Sequence, residues 1–143
     1  MKQIVQDVNS GDLSLTEVPP PTVPPTSVRV RTAASLISAG TEKSMIDLGE
    51  KSMLGKAKAR PDLVQKVFNK AQKEGWYKTF QAVMSKLDEP RPLGYSAAGI
   101  VEAVGSDVTE FSVGDRVAIA GAGYANHAEV NAVPKNLVAP IPD

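Results

Sequence analysis

Hydrophobic and polar positions divide the chain into three stretches. Over residues 1–38 the spacing is that of strands. Ile4 to Val8 is a short apolar segment, ended by Asn9, Ser10, Gly11 and Asp12, a strong turn signal. Leu13, Leu15 and Glu17 then alternate with polar neighbours as far as Val18. Val28, Val30 and Thr32 fall on one face of residues 28–33, which predicts a half-buried strand. Between these segments lie Pro19, Pro20, Pro21, Pro24 and Pro25. Proline cannot donate a ladder hydrogen bond, so this part is an extended connector or a sheet edge.

Residues 41–88 change period. Leu63, Val64, Val67, Phe68 and Ala71 form one stripe of a 3.6-residue helix. Pro61 suits the first helical position, and Asp62 complements the positive end of the dipole. Lys70 and Lys73 lie near the negative end, and Gly75 suits the residue just past the C-terminus. Trp76, Phe80, Val83, Met84 and Leu87 make a second stripe, stopped by Pro90 and Pro92, and shorter helices fit around 42–48 and 52–59. Helical spacing makes Trp76 and Phe80 core residues, and the lysines at 51, 56, 58, 66, 70, 73, 78 and 86 a solvated face.

From 93 to 143 the strand pattern returns. Strands are predicted at Ala97 to Val104, Arg116 to Ala120 and His127 to Val133, punctuated by turns at Gly105-Ser106-Asp107 and Gly114-Asp115. Strands, a helical insertion and strands again make an α+β, mainly β, antiparallel and barrel-like fold rather than repeating βαβ units.

Composition narrows the function classes. The chain has 143 residues, the size of one domain, and 42% are apolar, enough for a core. Sixteen basic and sixteen acidic side chains balance to zero, which gives no electrostatic reason for nucleic acid or an acidic membrane as partner. There is no cysteine, hence no disulfide and no thiolate metal site, in keeping with a reducing cytoplasm. Polar residues at 3, 6, 7, 9 and 10 interrupt any apolar run at the N-terminus, and no stretch approaches the roughly 18 apolar residues of a membrane span. A soluble, cytoplasmic protein is the expectation.

The most informative segment runs from Gly99 to Val117: G-I-V-x-x-V-G-x-x-V-x-x-F-x-V-G-D-R-V. By itself it describes a curled antiparallel sheet, with Gly105 and Gly114 at corners and Val101, Val104, Val108, Phe111, Val113 and Val117 facing a core. The run also resembles the signature of the medium-chain dehydrogenase/reductase superfamily, in its GroES-like catalytic domain. Ala33 to Glu42 (A-A-S-L-I-S-A-G-T-E) is similar to that family's strand leading into its metal-ligand loop. Ala128-Glu129-Val130 with Val133-Pro134 and Leu137 is similar to its A-E-Y-x-x-V-P-x-x-x-L stretch. The likeness covers nearly the whole chain outside a helical insertion at about 42–88. It implies a partly open antiparallel β-barrel over residues 1–143. It also implies an NAD(P)-dependent oxidoreductase whose nucleotide-binding Rossmann domain would follow the segment matching Val133 to Asp143. That domain is absent from this chain, which by itself is expected to bind little cofactor and to be inactive. Self-association, or contact with a Rossmann domain, is the expected protein partnership.

The departures from the family pattern concern metal. Where zinc-dependent members read C-G-T-D this chain reads Ala39-Gly40-Thr41-Glu42, and where they read G-H-E it reads Gly94-Tyr95-Ser96. Alanine has no lone pair to donate, and a phenol is protonated at neutral pH. The sole histidine, His127, cannot replace a tetrahedral donor set, so no zinc is expected. A carbonyl must then be polarised by hydrogen-bond donors. Tyr95, at the histidine position, is the candidate donor, or else a packed tyrosine beneath the cleft. Thr41 matches the family's proton-relaying hydroxyl, or else caps the helix that follows. Gly40 and Thr41 are the cofactor-contact candidates. Ser38 and Ser96 border the same site and rank lower. Glu42 reads as a complement to the helix dipole, and His127 as a surface or internally satisfied histidine with catalysis as the minor reading. Gly121-Ala122-Gly123 lacks the third glycine of a dinucleotide fingerprint and no helical pattern follows it. The bacterial subgroup with this S-A-G-T-E loop implies a sugar or polyol derivative as substrate. The competing reading is a redox-silent binding or assembly module that uses the helical insertion as its interface.

Overall fold

The structure, a computed structural model, describes residues 1–143 except 9, 50–54, 56, 57, 59, 60, 80, 82–88 and 143, and except the side chains of 45, 48, 49, 63 and 74. In chain order the elements are β1 (Lys2–Gln6), β2 (Leu13–Glu17), β3 (Ser27–Ser35), α1 (Ala39–Gly49), α2 (Pro61–Glu74), β4 (Arg91–Pro92), β5 (Ser96–Val104), β6 (Arg116–Ala120), β7 (Val130–Pro134) and β8 (Val138–Pro140), with a 3-10 turn at Lys135–Leu137. The chain falls into two compact units. The first holds Met1–Val5, Leu15–Glu42 and Pro92–Asp143, the second Gln6–Ser14 and Lys43–Arg91.

In the first unit an antiparallel sheet has the order β7-β3-β5-β6-β8. It ends on two edges, β7 and β8, and is therefore open, as the sequence led one to expect. Alternation decides which side chains go inside. In β6, Val117 and Ile119 are buried while Arg116, Ala118 and Ala120 are exposed. In β3, Val28 and Val30 are buried. Val28, Val30, Val101, Val117 and Val133 form the centre of the core, with Ala97, Val108, Ile119 and Ala125 around them. Each buried valine is worth about 1.5–3 kcal/mol relative to exposure. The β3–β5 register slips twice, between Arg29 and Val30 and between Thr32 and Ala34, and such irregularities increase local twist. Gly99 faces Thr32 at the second slip. A Cβ there would overlap the Arg31 carbonyl oxygen and the Val30 side chain, so only glycine lets the two backbones approach. A three-stranded sheet has the order β2-β1-β4.

Two strand limits differ from the sequence expectation. β1 ends at Gln6 rather than Val8, because the turn begins at once: the Gly11 amide donates to the Asp7 carbonyl (2.9 Å), and the Asp7 carboxylate accepts from the Ser10 amide (2.9 Å). The third strand begins at Val130, not His127. Residues 127 and 128 bond elsewhere: the Ile4 amide donates to the His127 carbonyl (2.9 Å), the His127 amide donates to the Leu93 carbonyl (2.7 Å), and Gln3 bridges Ala128.

One surface pair in this unit gives a pH-dependent prediction. The Lys135 ammonium lies 2.8 Å from Glu110. Its hydrogen bond, helped by the Glu110 and Thr109 amides, pulls the Glu110 carboxyl from 4.5 down to about 2. A carboxyl depressed on folding stabilises the fold above its unfolded value and loses that contribution as pH falls through its folded value. Glu110→Gln is therefore slightly less stable than the parent at pH 6, and the gap closes between pH 4.5 and about 2. Urea midpoints across that range check it. Because the pair is exposed, the gap is small and shrinks further in high salt.

In the second unit, α2 begins at Pro61 with Asp62 in its first turn and Lys73 in its last. Gly75, at φ +93°, donates its amide to the Ala71 carbonyl (3.0 Å) and ends the helix. These limits follow the sequence signals. The apolar stripe does not. Ala71 is buried, but Val64, Val67 and Phe68 are exposed, and Trp76 is 63% exposed, edge-on to Phe68 with ring centroids 5.5 Å apart. Expecting Trp76 in the core was wrong, because helical spacing tells which residues share a face and not whether another element covers it. Phe80 and the rest of the second stripe lie outside the described residues, as does 52–59 apart from Gly55 and Lys58, both helical. Lys58, Lys66, Lys70, Lys73 and Lys78 are exposed, as expected. Among the described residues no helix is long and apolar enough to cross a membrane.

Candidate active site

At one end of the five-stranded sheet, β3 runs out at Ser35 and the chain turns into α1. The helix begins at Ala39, and its first-turn bond runs from the Glu42 amide to the Ser38 carbonyl (2.9 Å). The Glu42 carboxylate reaches back and accepts from the Ser38 amide (3.1 Å), a reciprocal closure of the kind that satisfies an otherwise unpaired helix-start donor. Thr41 is thus inside the first turn rather than at the cap, and the capping alternative for it fails. Ser38 holds that place. Thr41 and Gly40 are both exposed.

Glu42 also does more than complement a dipole. It is 7% exposed, and both its oxygens lie 3.2 Å from Nε2 of His127, itself 9% exposed. On the other side of the ring, Nδ1 lies 2.8 Å from the Ser35 hydroxyl. A carboxylate can only accept, which places a hydrogen on Nε2. When the ring is neutral, Nδ1 then accepts from the Ser35 hydroxyl; when it is charged, Nδ1–H donates to it. The result is a Ser35–His127–Glu42 chain whose inner two members are buried and whose outer hydroxyl is on an exposed residue.

Main-chain bonds hold the backbone that carries the ring. His127 is tied to Ile4 and Leu93, and the Glu129 amide donates to the Lys2 carbonyl (3.0 Å). Gly94 forms the floor: at φ +96°, a Cβ there would sit 2.7 Å from the His127 nitrogen and 3.0 Å from Cγ of the ring. The turn before the ring is held by buried Asn131, whose side chain accepts from the Asn126 amide (3.0 Å) and donates to the Asn126 carbonyl and the Thr32 hydroxyl (3.1 Å each).

Tyr95 follows Gly94 directly and is half-buried. Its carbonyl accepts from the Gly121 amide (2.8 Å), and the next carbonyl, of Ser96, accepts from the Leu36 amide (2.9 Å). The ladder therefore brings Tyr95 and Ser96 beside the end of β3, next to Ser35. Among the described residues no hydrogen bond engages the Tyr95 phenol or the Thr41 hydroxyl, and none joins the two. Gly121 to Gly123 form a turn closed on the Gly121 carbonyl, with no helix behind it.

The positions expected for zinc do not suit it. Ala39 offers no donor, Tyr95 offers a phenol, and among the described residues no three His, Asp or Glu side chains are grouped to hold a metal ion. The residue pair ranked low from the sequence, Glu42 with His127, is a buried polar pair that reaches Ser35, which was not singled out at all. The available signals were the lone histidine and the four-residue spacing of Ser38 and Glu42.

Comparison with known proteins agrees with this architecture. The sequence model of the alcohol dehydrogenase GroES-like domain matches residues 68–143. A quinone oxidoreductase of Pseudomonas aeruginosa is 44% identical over 54 residues, 38% of this chain and 17% of its own length. Among solved structures, an alcohol dehydrogenase superfamily protein from Novosphingobium aromaticivorans superposes with a TM-score of 0.64 at 26% identity, covering 99% of this chain and 34% of that one. The Escherichia coli quinone oxidoreductase complexed with NADPH gives 0.63 at 20% identity, covering 99% and 33%. The chain thus spans about a third of the solved structures it resembles, and a smaller part of the curated relative.

Proposed function

Because the chain belongs to the alcohol dehydrogenase GroES-like domain family, we propose that it is the substrate-side domain of a zinc-independent, NAD(P)-dependent oxidoreductase that reduces a small carbonyl compound. The observation that carries this reading is the reach of the family match, which includes Tyr95 and His127 and so the whole wall of the site contributed by β5 and the 126–128 turn. The likeness to a quinone oxidoreductase favours a carbonyl or quinone oxygen as the group reduced, with a sugar or polyol derivative as the narrower alternative. The donor set argues against zinc, and no step passes through a metal.

The nicotinamide would supply hydride, held mostly by a nucleotide-binding domain outside residues 1–143. From this chain, exposed Gly40 and Thr41 at the positive end of α1 fit an edge contact with an anionic cofactor. Tyr95 would donate its phenolic hydrogen bond to the substrate oxygen as charge develops there, and Thr41 would offer a second hydroxyl.

The test is NAD(P)H-dependent reduction of quinones and aldehydes by the full-length protein. Tyr95→Phe is expected to lower kcat by about 10²–10³-fold and Thr41→Ala to lower it less. Unchanged turnover in both discards the site assignment. Absence of nicotinamide binding to the full-length protein would favour instead a redox-silent binding module, the reading to which exposed Phe68, Trp76 and Tyr77 lend support.

A further inference from the structure

We propose that Glu42, His127 and Ser35 form a proton relay that delivers, through the Ser35 hydroxyl, the proton that accompanies hydride addition; this rests on the oxidoreductase reading above. The geometry supplies each requirement of such a relay. The terminal hydroxyl is on an exposed residue, 2.8 Å from Nδ1 of a ring that is otherwise enclosed. The far side of the ring meets a carboxylate, which fixes the tautomer. That carboxylate is itself held by the Ser38 amide. The relay also ends in the right place. Ser35 is the register partner of Ala97, two residues along from Tyr95, and the neighbouring Leu36 amide bonds the Ser96 carbonyl. Both ring nitrogens are engaged, one by a carboxylate and one by a hydroxyl that lies at the outer end.

The step balances as follows. As hydride from a reduced nicotinamide adds to the carbonyl carbon, the carbonyl π pair becomes an oxyanion. The Ser35 O–H bond breaks and its proton forms the new O–H bond of the product alcohol. The proton on Nδ1 of charged His127 moves to the Ser35 oxygen, and the ring is left neutral, its Nε2–H still on Glu42. Solvent protonates the ring for the next cycle. The substrate is reduced, the nicotinamide is oxidised, and one solvent proton is consumed.

Among the described residues, Glu42 is the ionisable side chain within hydrogen-bond distance of the His127 ring. Because the sequence contains a single histidine, ¹⁵N NMR of the imidazole reads the relay without any assay of turnover. The neutral ring is expected as the Nε2–H tautomer. Glu42→Gln, which can still accept from Ser38, is expected to weaken the preference for the Nε2–H tautomer, since the charged acceptor on that side of the ring has gone. Ser35→Ala is expected to shift the Nδ1 resonance. In turnover, Ser35→Ala is expected to cut kcat by about 10²-fold with KM unchanged, and Ser35→Thr to restore most of it. An Nδ1–H tautomer in the parent, or a tautomer ratio indifferent to Glu42→Gln, refutes the relay whatever the enzyme does. Full kcat in Ser35→Ala refutes it too, while leaving the oxidoreductase reading intact. A wild-type protein that transfers no hydride refutes the oxidoreductase reading and the use of the relay together, even with the NMR pattern as expected.

Discussion

Gly94→Ala is expected to lower the unfolding free energy of this chain by at least about 3 kcal/mol and to displace the His127 ring. Two costs combine at this residue. A backbone at φ +96° is disfavoured for any residue with a Cβ, by about 1–2 kcal/mol. The added carbon would also meet the His127 main-chain nitrogen at 2.7 Å, and that nitrogen is fixed by its bond to the Leu93 carbonyl. Backbone cannot yield as the end of a flexible side chain can. Relief must come from moving residues 126–128, and the imidazole goes with them. Urea denaturation measures the first effect and the histidine ring resonances the second. A loss below about 1 kcal/mol with unmoved resonances would mean that the floor of the site is looser than described.

Asn131→Ala is expected to cost about 3 kcal/mol. The side chain is 3% exposed and serves three partners. Its removal leaves the Asn126 amide buried without an acceptor, and an unmet buried donor costs about 1–3 kcal/mol by itself. Two donated bonds are lost in addition. Asn131→Asp keeps the acceptor for the Asn126 amide but cannot donate to Thr32 or to the Asn126 carbonyl, and at pH 7 it buries a carboxylate against that carbonyl oxygen. It should be no more stable than the alanine variant in the same urea titration. An alanine variant within about 0.5 kcal/mol of the parent would show that water replaces all three bonds.

The strands and the helix from 61 to 74 were legible because their signals are local. Val28 and Val30 alternate with arginines, and Val117 and Ile119 with exposed neighbours, and both pairs are buried. Pro61 and Gly75 bound α2 because one lacks an amide hydrogen and the other tolerates positive φ. The site was less legible. Ser35 and His127 are 92 residues apart and Glu42 and His127 are 85, separations on which periodicity is silent. The same holds for Trp76 and Phe68, whose spacing places them together without saying that they remain exposed. Reading Thr41 as the cap failed for a local reason. Ser, Thr, Asp and Asn compete for that role, and Ser38 was the one whose neighbour four residues on could close the turn.

The sequence has a single tryptophan, and it lies on the second unit, against Phe68. Indole emission during a melt therefore monitors the helical unit, whereas ellipticity near 215 nm is weighted toward the sheet. Coincident curves would mean that the two halves melt as one cooperative block; separated curves would mean two transitions, and a single midpoint would then describe neither.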